Sequence, residues 1–214
     1  MGAAVGVTRG LFITLEGIEG SGKSTQAHLL AEKLREHGNV VVSLREPGST
    51  PIGDRVRDVL LAREHDGMTP ETEALLYAAA RAQMVSERVV PAVEAGRTVV
   101  CDRYVDSTIA YQCFGRGLAR DVVSQVNEWA TRGVQPDMTV LLDLPVADGL
   151  ARATRVACDR IEAETADFHE RVRQGYLRLA AEEPGRIAVV DGRGPVEMVG
   201  ESVADAVMQR LRKR

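Results

Sequence analysis

The sequence predicts an α/β fold, a single domain built on a five-stranded parallel sheet flanked by helices on both faces. Three observations lead there. Five short, continuous apolar runs alternate with helical segments, the pattern of strands buried on both sides. A glycine-rich loop joins the first run to the first helix. No Ser/Pro/Gly-rich linker, block of like charge or internal repeat divides the 214 residues, a length suited to one sizeable core.

Each element follows from local pattern. Leu11 to Leu15 is apolar and β-branched and reads as the first strand. Thr25 to Arg35 carries Leu29, Leu30 and Leu34 at helical spacing, and Gly38 and Asn39 stop that helix. Val40 to Leu44 forms the second strand, completing a βαβ unit. A long helical segment from about Pro70 to Ala95 leads to the third strand, Thr98 to Cys101. A helix containing Trp129 precedes the fourth, Met138 to Leu144. The fifth, Ile187 to Asp191, is followed by an amphipathic helix with Val199, Val203, Val207 and Leu211. Ligands of such sheets collect at the carboxyl ends of the strands. Glu16-Gly17, Arg45-Glu46, Asp102-Arg103 and Asp191 all fall at those ends.

Bulk properties exclude several classes. A formal net charge of −4 and a pI near 5.7 argue against a broad nucleic-acid footprint, while local arginines can still bind small anions. Residues 1–10 lack the apolar core of a signal peptide and are expected to be a flexible N-terminus; no run approaches membrane length, so a cytoplasmic protein without membrane partners is expected. Cys101, Cys113 and Cys158 are odd in number and lack CxxC spacing, which points to buried or idle thiols.

Gly17-Ile18-Glu19-Gly20-Ser21-Gly22-Lys23-Ser24 fits the phosphate-binding pattern G-x-x-x-x-G-K-[ST], with Thr25 opening the helix behind it. Gly17 and Gly22 let successive N–H groups turn inward as an anion nest at a helix N-terminus. Lys23 is placed to reach β- and γ-phosphates, and the Ser24 hydroxyl can ligate Mg²⁺. Only three lysines accompany twenty-four arginines, so a lysine here is no accident of composition. Asp102 ends an apolar strand in the form of a Walker B carboxylate. Alone it reads first as a turn or cap; beside Lys23 and Ser24 the metal reading prevails.

The order of motifs resembles the bacterial thymidylate kinase family over nearly the whole chain. The residues that carry it are LEGIEGSGKST at 15–25, REPGSTPIGDRVRDVLL at 45–61, YAAARAQ at 77–83, DRYVDSTIAYQCFGRG at 102–117, PDMTVLLDL at 136–144 and DRIEAETADFHERVRQGYL at 159–177. The resemblance implies a P-loop nucleoside monophosphate kinase fold with a short lid at about 150–161. It also implies transfer of the γ-phosphoryl group of ATP to dTMP with Mg²⁺ and a homodimeric assembly. ATP falls to residues 17–25 and to Arg152. The lid supplies Arg155 as the catalytic arginine, because Gly20 stands where other members carry an arginine in the loop; Arg160 is a further lid arginine, and Thr154 stands where arginine is frequent.

For the acceptor, the resemblance implies that Glu19 meets the deoxyribose 3′-hydroxyl and that Arg45 and Glu46 open the loop near its phosphate. Arg57 and Arg103 clamp that phosphate from opposite sides, bidentate guanidinium donors that stay ionised. In isolation Arg57, between Asp54 and Asp58, reads as a solvated helix face. Tyr77, four residues from Arg81 and so on one helix face with it, stacks on thymine in place of the usual phenylalanine, and Arg81 meets the base edge. Thr108 and Gln112 face the pyrimidine, with Tyr111 and Arg116 walling the site. Cys113 and Phe114 replace residues that are usually small. A kinase for a different nucleoside monophosphate or for a deoxynucleoside is the nearest rival, which Gln112 and Arg81 disfavour. A nucleotide-dependent switch is the rival from a different class, but a switch has no need of the Arg57, Arg81 and Arg103 acceptor set.

Overall fold

The computed structural model describes residues 9–153 and 159–211. Its strands are β1 (Phe12–Glu16), β2 (Val41–Arg45), β3 (Thr98–Asp102), β4 (Met138–Asp143) and β5 (Ile187–Asp191). All pair in parallel in the order β2-β3-β1-β4-β5. Every strand end therefore points the same way. β1 lies at the centre, where the chain crosses from one half of the sheet to the other, the position at which such sheets bind ligands.

Alternation along the strands fixes which helix covers which face. Ile13 and Leu15 of β1, Val100 of β3 and Val140 and Leu142 of β4 pack on α1 (Lys23–Glu36) and α9 (Val196–Leu211), through Leu30, Leu34, Val199, Val203 and Val207. Phe12, Val99 and Cys101 face the other way, onto Met84, Val89 and Val93. Beside them Leu141 meets Phe168, Val172 and Tyr176 of α8 (Ala166–Glu182). Each such side chain contributes roughly 1.5–3 kcal/mol on leaving water.

The remaining helices are α2 (Pro51–Leu61), α3 (Pro70–Met84), α4 (Val90–Glu94), α5 (Val105–Thr108), α6 (Arg120–Thr131) and α7 (Val146–Ala153). Thr50, Thr69 and Thr165 cap α2, α3 and α8 by accepting from the N–H three residues on, with proline in the first turn of α2 and α3. The expected single helix from 70 to 95 is interrupted. Pro91 has no N–H to give to Glu87 and its ring crowds that carbonyl, and the chain widens into a π-type turn at Val85–Val89 before α4. A second wide turn, Ile109–Gly115, carries Tyr111 and Gln112. Cys101 is buried and Cys113 half-buried, both free; Cys158 lies outside the described residues.

Candidate active site

The loop after β1 turns back over the strand ends and enters α1 through Gly22, which holds φ +90 at the helix N-cap, a conformation that glycine adopts without strain. Lys23 is buried, and its ammonium donates to Ile18 O at 2.7 Å and to Ser21 Oγ at 3.4 Å. Burial, reinforced by the charge of Arg103, pushes the Lys23 pKa down to about 8. Ser24 Oγ is hydrogen-bonded to Asp102 Oδ2, and Asp102 Oδ1 is buried with no hydrogen-bond partner among the described residues. β3 thus delivers the carboxylate to the first turn of α1.

A cavity of about 260 Å³ opens beside this loop. Glu19, Gly20, Lys23, Ser24, Arg45, Glu46, Arg57, Tyr77, Asp102, Arg103, Thr108, Tyr111 and Gln112, all expected at the site from the sequence, line it together. Arg57 donates to Pro47 O at 3.1 Å, and burial together with the neighbouring Arg45 lowers its pKa, a tension that an added anion relieves. The hydroxyl of Tyr77 makes no hydrogen bond among the described residues and its pKa is raised by burial.

Arg103 is held at φ +72, a backbone region that costs a non-glycine residue about 1–3 kcal/mol. Its side chain explains how that is sustained. Nη1 donates to Gly17 O, Ser107 Oγ and Tyr176 Oη at 3.1–3.2 Å, and Nη2 reaches Glu19 Oε1 at 2.8 Å and Tyr111 Oη at 3.1 Å. Burial opposes the charge on Glu19, but Arg103, His169, Lys23 and Tyr111 outweigh it and hold that carboxyl well below the usual range. Behind Arg103, the fully buried Glu16 accepts from Tyr104 N at 2.7 Å, Ser107 Oγ at 2.6 Å and Tyr176 Oη at 2.9 Å. Burial and the nearby Asp106 push its pKa up to about 7.

Two residues expected at the acceptor site, Arg81 and Arg116, stand outside the cavity. Arg81 is buried one shell behind it, where it pairs with Glu46 at 2.8 Å and donates to Asn127 Oδ1 at 2.5 Å and Thr108 Oγ1 at 2.7 Å. Arg116 clasps Glu73 and Glu164 on the far side of the wide turn. Arg152, on α7, donates to Gly192 O at 3.1 Å at the turn after β5. It therefore lies on the β4–β5 side of the loop, whereas Arg45, Glu46 and Arg103 come from the β2–β3 side. Arg160 is committed to structure: its Nε donates to Leu60 O at 2.8 Å, and Nη2 lies 2.6 Å from the Glu73 carboxylate. Arg155 and Thr154 lie outside the described residues.

Sequence reasoning missed Ser107, Asp159, Ile161 and Glu162, which also line the cavity, and His169 and Tyr176, which hold its walls. His169 and Tyr176 are seven apart within one helix and so share a face, a signal present in the sequence but not separable there from ordinary core packing.

The glycine loop thus has two working sides: the helix end and Arg152 toward β4 and β5, and a cation-lined cavity toward β2 and β3. That division defines the class, a P-loop nucleoside monophosphate kinase. The family model for thymidylate kinase matches residues 15–203. A thymidylate kinase of Geobacter sulfurreducens is 50% identical over 212 residues, covering 96% of this chain and 100% of that one. One of Exiguobacterium sp. is 45% identical over 205 residues, covering 95% and 97%. The crystal structure of thymidylate kinase from Ehrlichia chaffeensis superposes with a TM-score of 0.78 at 32% identity, covering 93% of this chain and 99% of that one. The chain belongs to the thymidylate kinase family.

Proposed function

We propose that this chain transfers the γ-phosphoryl group of ATP to dTMP, giving dTDP and ADP, with the cavity on the β2–β3 side receiving dTMP. The observation that carries this reading is the meeting of Lys23, Arg45, Arg57 and Arg103 around one cavity beside the phosphate loop. A protein that bound a single nucleotide would have no use for the second cationic set.

The roles follow from chemistry. Arg57 and Arg103 hold the acceptor phosphate by charge-assisted hydrogen bonds. Glu19, ionised and acceptor-only, takes the 3′-hydroxyl, and Tyr77 lies against the base. The acceptor phosphate has a second pKa near 6 and is largely a dianion at pH 7, so no general base is required. Catalysis consists of bringing two repelling anions into line and stabilising the charge spread over the transferred group. Lys23 and the arginines do both, and Arg155 of the lid adds a further cation.

The pair Ser24 and Asp102 suits Mg²⁺, since a hydroxyl and a carboxylate oxygen without a hydrogen-bond partner among the described residues are hard ligands and this ion is commonly held by one or two protein oxygens plus phosphate. When bound, the ion would neutralise charge developing between the phosphates. A homodimer is proposed as well. Leu75 on α3 and Val122 on α6 border an apolar groove, and Trp129, 85% exposed, continues the α6 face. Sedimentation of a single 23 kDa species at micromolar concentration would reject it. No helix among the described residues is long and apolar enough to cross a membrane.

The decisive experiment is coupled ADP release with ATP and Mg²⁺ against a panel of nucleoside monophosphates. Preference for dTMP is the expected result. Far faster turnover of another monophosphate refutes the reading.

A further inference from the structure

We infer that Glu73 determines which base the acceptor site takes, acting through Gln112 as a positioning residue; this deepens the dTMP reading and rests on it. Glu73 sits in the first turn of α3, 1% exposed, and does not itself line the cavity. Its Oε1 accepts from Gln112 Nε2 at 2.9 Å and Arg116 Nε at 3.1 Å. Its Oε2 accepts from Arg116 Nη2 at 3.0 Å and lies 2.6 Å from Arg160 Nη2. Burial works against the charge, but Arg116, Gln112 and Arg160 outweigh it and hold the carboxyl below its ordinary range.

An ionised carboxylate can only accept hydrogen bonds. The amide of Gln112 must therefore turn its nitrogen, not its oxygen, toward Glu73. With Nε2 committed, Oε1 of Gln112 is left with no protein donor among the described residues, on a side chain that lines the cavity. The site thus offers an acceptor. Thymine and uracil carry a donor at N3 and complement it, whereas cytosine carries a lone pair there and meets oxygen with nitrogen, lone pair to lone pair. Rejection of this kind is strong, because a buried polar pair is left unmatched. Nothing else about Gln112 would enforce it, since an unrestrained amide could rotate by half a turn and offer nitrogen instead.

The same clasp ties Gln112 to the end of α2. Arg160, which shares Glu73 with Gln112, is anchored there through Leu60 O.

The test compares Glu73→Gln with Glu73→Asp. A glutamine at 73 can present either oxygen or nitrogen, so it releases the Gln112 amide; an aspartate remains acceptor-only. In E73Q the ratio of kcat/KM for dTMP over dCMP should fall by about 10- to 100-fold, a loss of the size expected when one buried hydrogen-bonding preference is lifted. The ratio for dTMP over dUMP, which reads the 5-methyl group, should stay within about twofold. E73D should keep the dTMP-over-dCMP preference even if it melts earlier. An unchanged dTMP-over-dCMP ratio in folded E73Q overturns the inference, as does E73D losing that preference to the same extent. If neither variant folds, inhibition of the unmutated protein decides. An inhibition constant for dCMP at least 100-fold above the KM for dTMP supports the restrained amide, and comparable values overturn it. Failure of the underlying reading looks different, because the unmutated chain would then not phosphorylate dTMP at all.

Discussion

Raising pH above 8 should weaken ATP binding through one residue, Lys23. In the protein alone, burial and then Arg103 push its ammonium from an ordinary 10.5 to about 8. That gap corresponds to about 3 kcal/mol of unfavourable surroundings for the charge. A polyphosphate seated in the loop reverses the balance and draws the pKa back up, so the bound lysine is charged. Below pH 8 the lysine already holds its proton, binding takes up none, and affinity is flat. Above pH 8 the proton must be supplied on binding, and affinity falls up to tenfold per pH unit until the bound-state pKa is reached. The γ-phosphate has lost its last proton by then and does not blur the window. Titration calorimetry with MgATP at pH 8, in Tris and in EPPS, which differ in ionisation enthalpy, should report uptake of about half a proton per site. Lys23→Arg, charged throughout this range, should abolish the uptake. An affinity that is level from pH 7 to 9, with no buffer dependence of the heat, refutes the reasoning.

Other expectations follow from the same geometry. Glu16, with its pKa pushed up to about 7 against an ordinary 4.5, keeps its proton in the folded state after the unfolded chain has lost it; stability should therefore decline by about 3 kcal/mol as pH rises from 4.5 through 7. Urea midpoints of Glu16→Gln, which carries no such charge, should lack that decline, and parallel profiles for the two proteins contradict the assignment. Arg160→Ala leaves part of the buried Glu73 charge uncompensated and should cost about 3 kcal/mol in urea unfolding; a change below 0.5 kcal/mol would mean that the clasp is dispensable. Arg57→Lys keeps the charge but loses the planar fork, so kcat/KM for dTMP should drop about 10- to 100-fold with the KM for ATP unaltered. An equal rise in both KM values would place Arg57 elsewhere.

Much of the architecture was legible because the relevant signals are local. Continuous apolar runs gave all five strands within a residue or two, and proline at the start of α2 and α3 marks boundaries that any sequence reader can use. The P-loop was readable for the same reason: eight consecutive residues perform its work. The π-type turn at Val85–Val89 was not anticipated, since Pro91 signals a disturbance without saying whether the helix breaks or widens. Side-chain commitments were harder still. Nothing in the spacing of Arg81, Arg116 and Arg160 reveals that carboxylates from other elements, Glu46, Glu73 and Glu164, hold them away from the cavity. Those pairings depend on which buried acid lies opposite, a property of tertiary packing. His169 and Tyr176 were overlooked on the same account, as both resemble core residues until Glu19 and Arg103 are placed against them.

Gly20 and Gly149 touch backbone to backbone. A Cβ on Gly20, at φ +69, would come within 2.0 Å of Gly149 O, and one on Gly149 within 2.6 Å of Glu19 O. Helix α7 therefore rests closely on the phosphate loop, with only the Ile18 side chain packed beside this backbone contact. An arginine introduced at position 20 would act as a wedge under α7 and lift the helix that carries Arg152. Adding a side chain to the loop at position 20 thus cannot be achieved by one substitution in this scaffold. It requires the seat of the helix to be rebuilt in the same step.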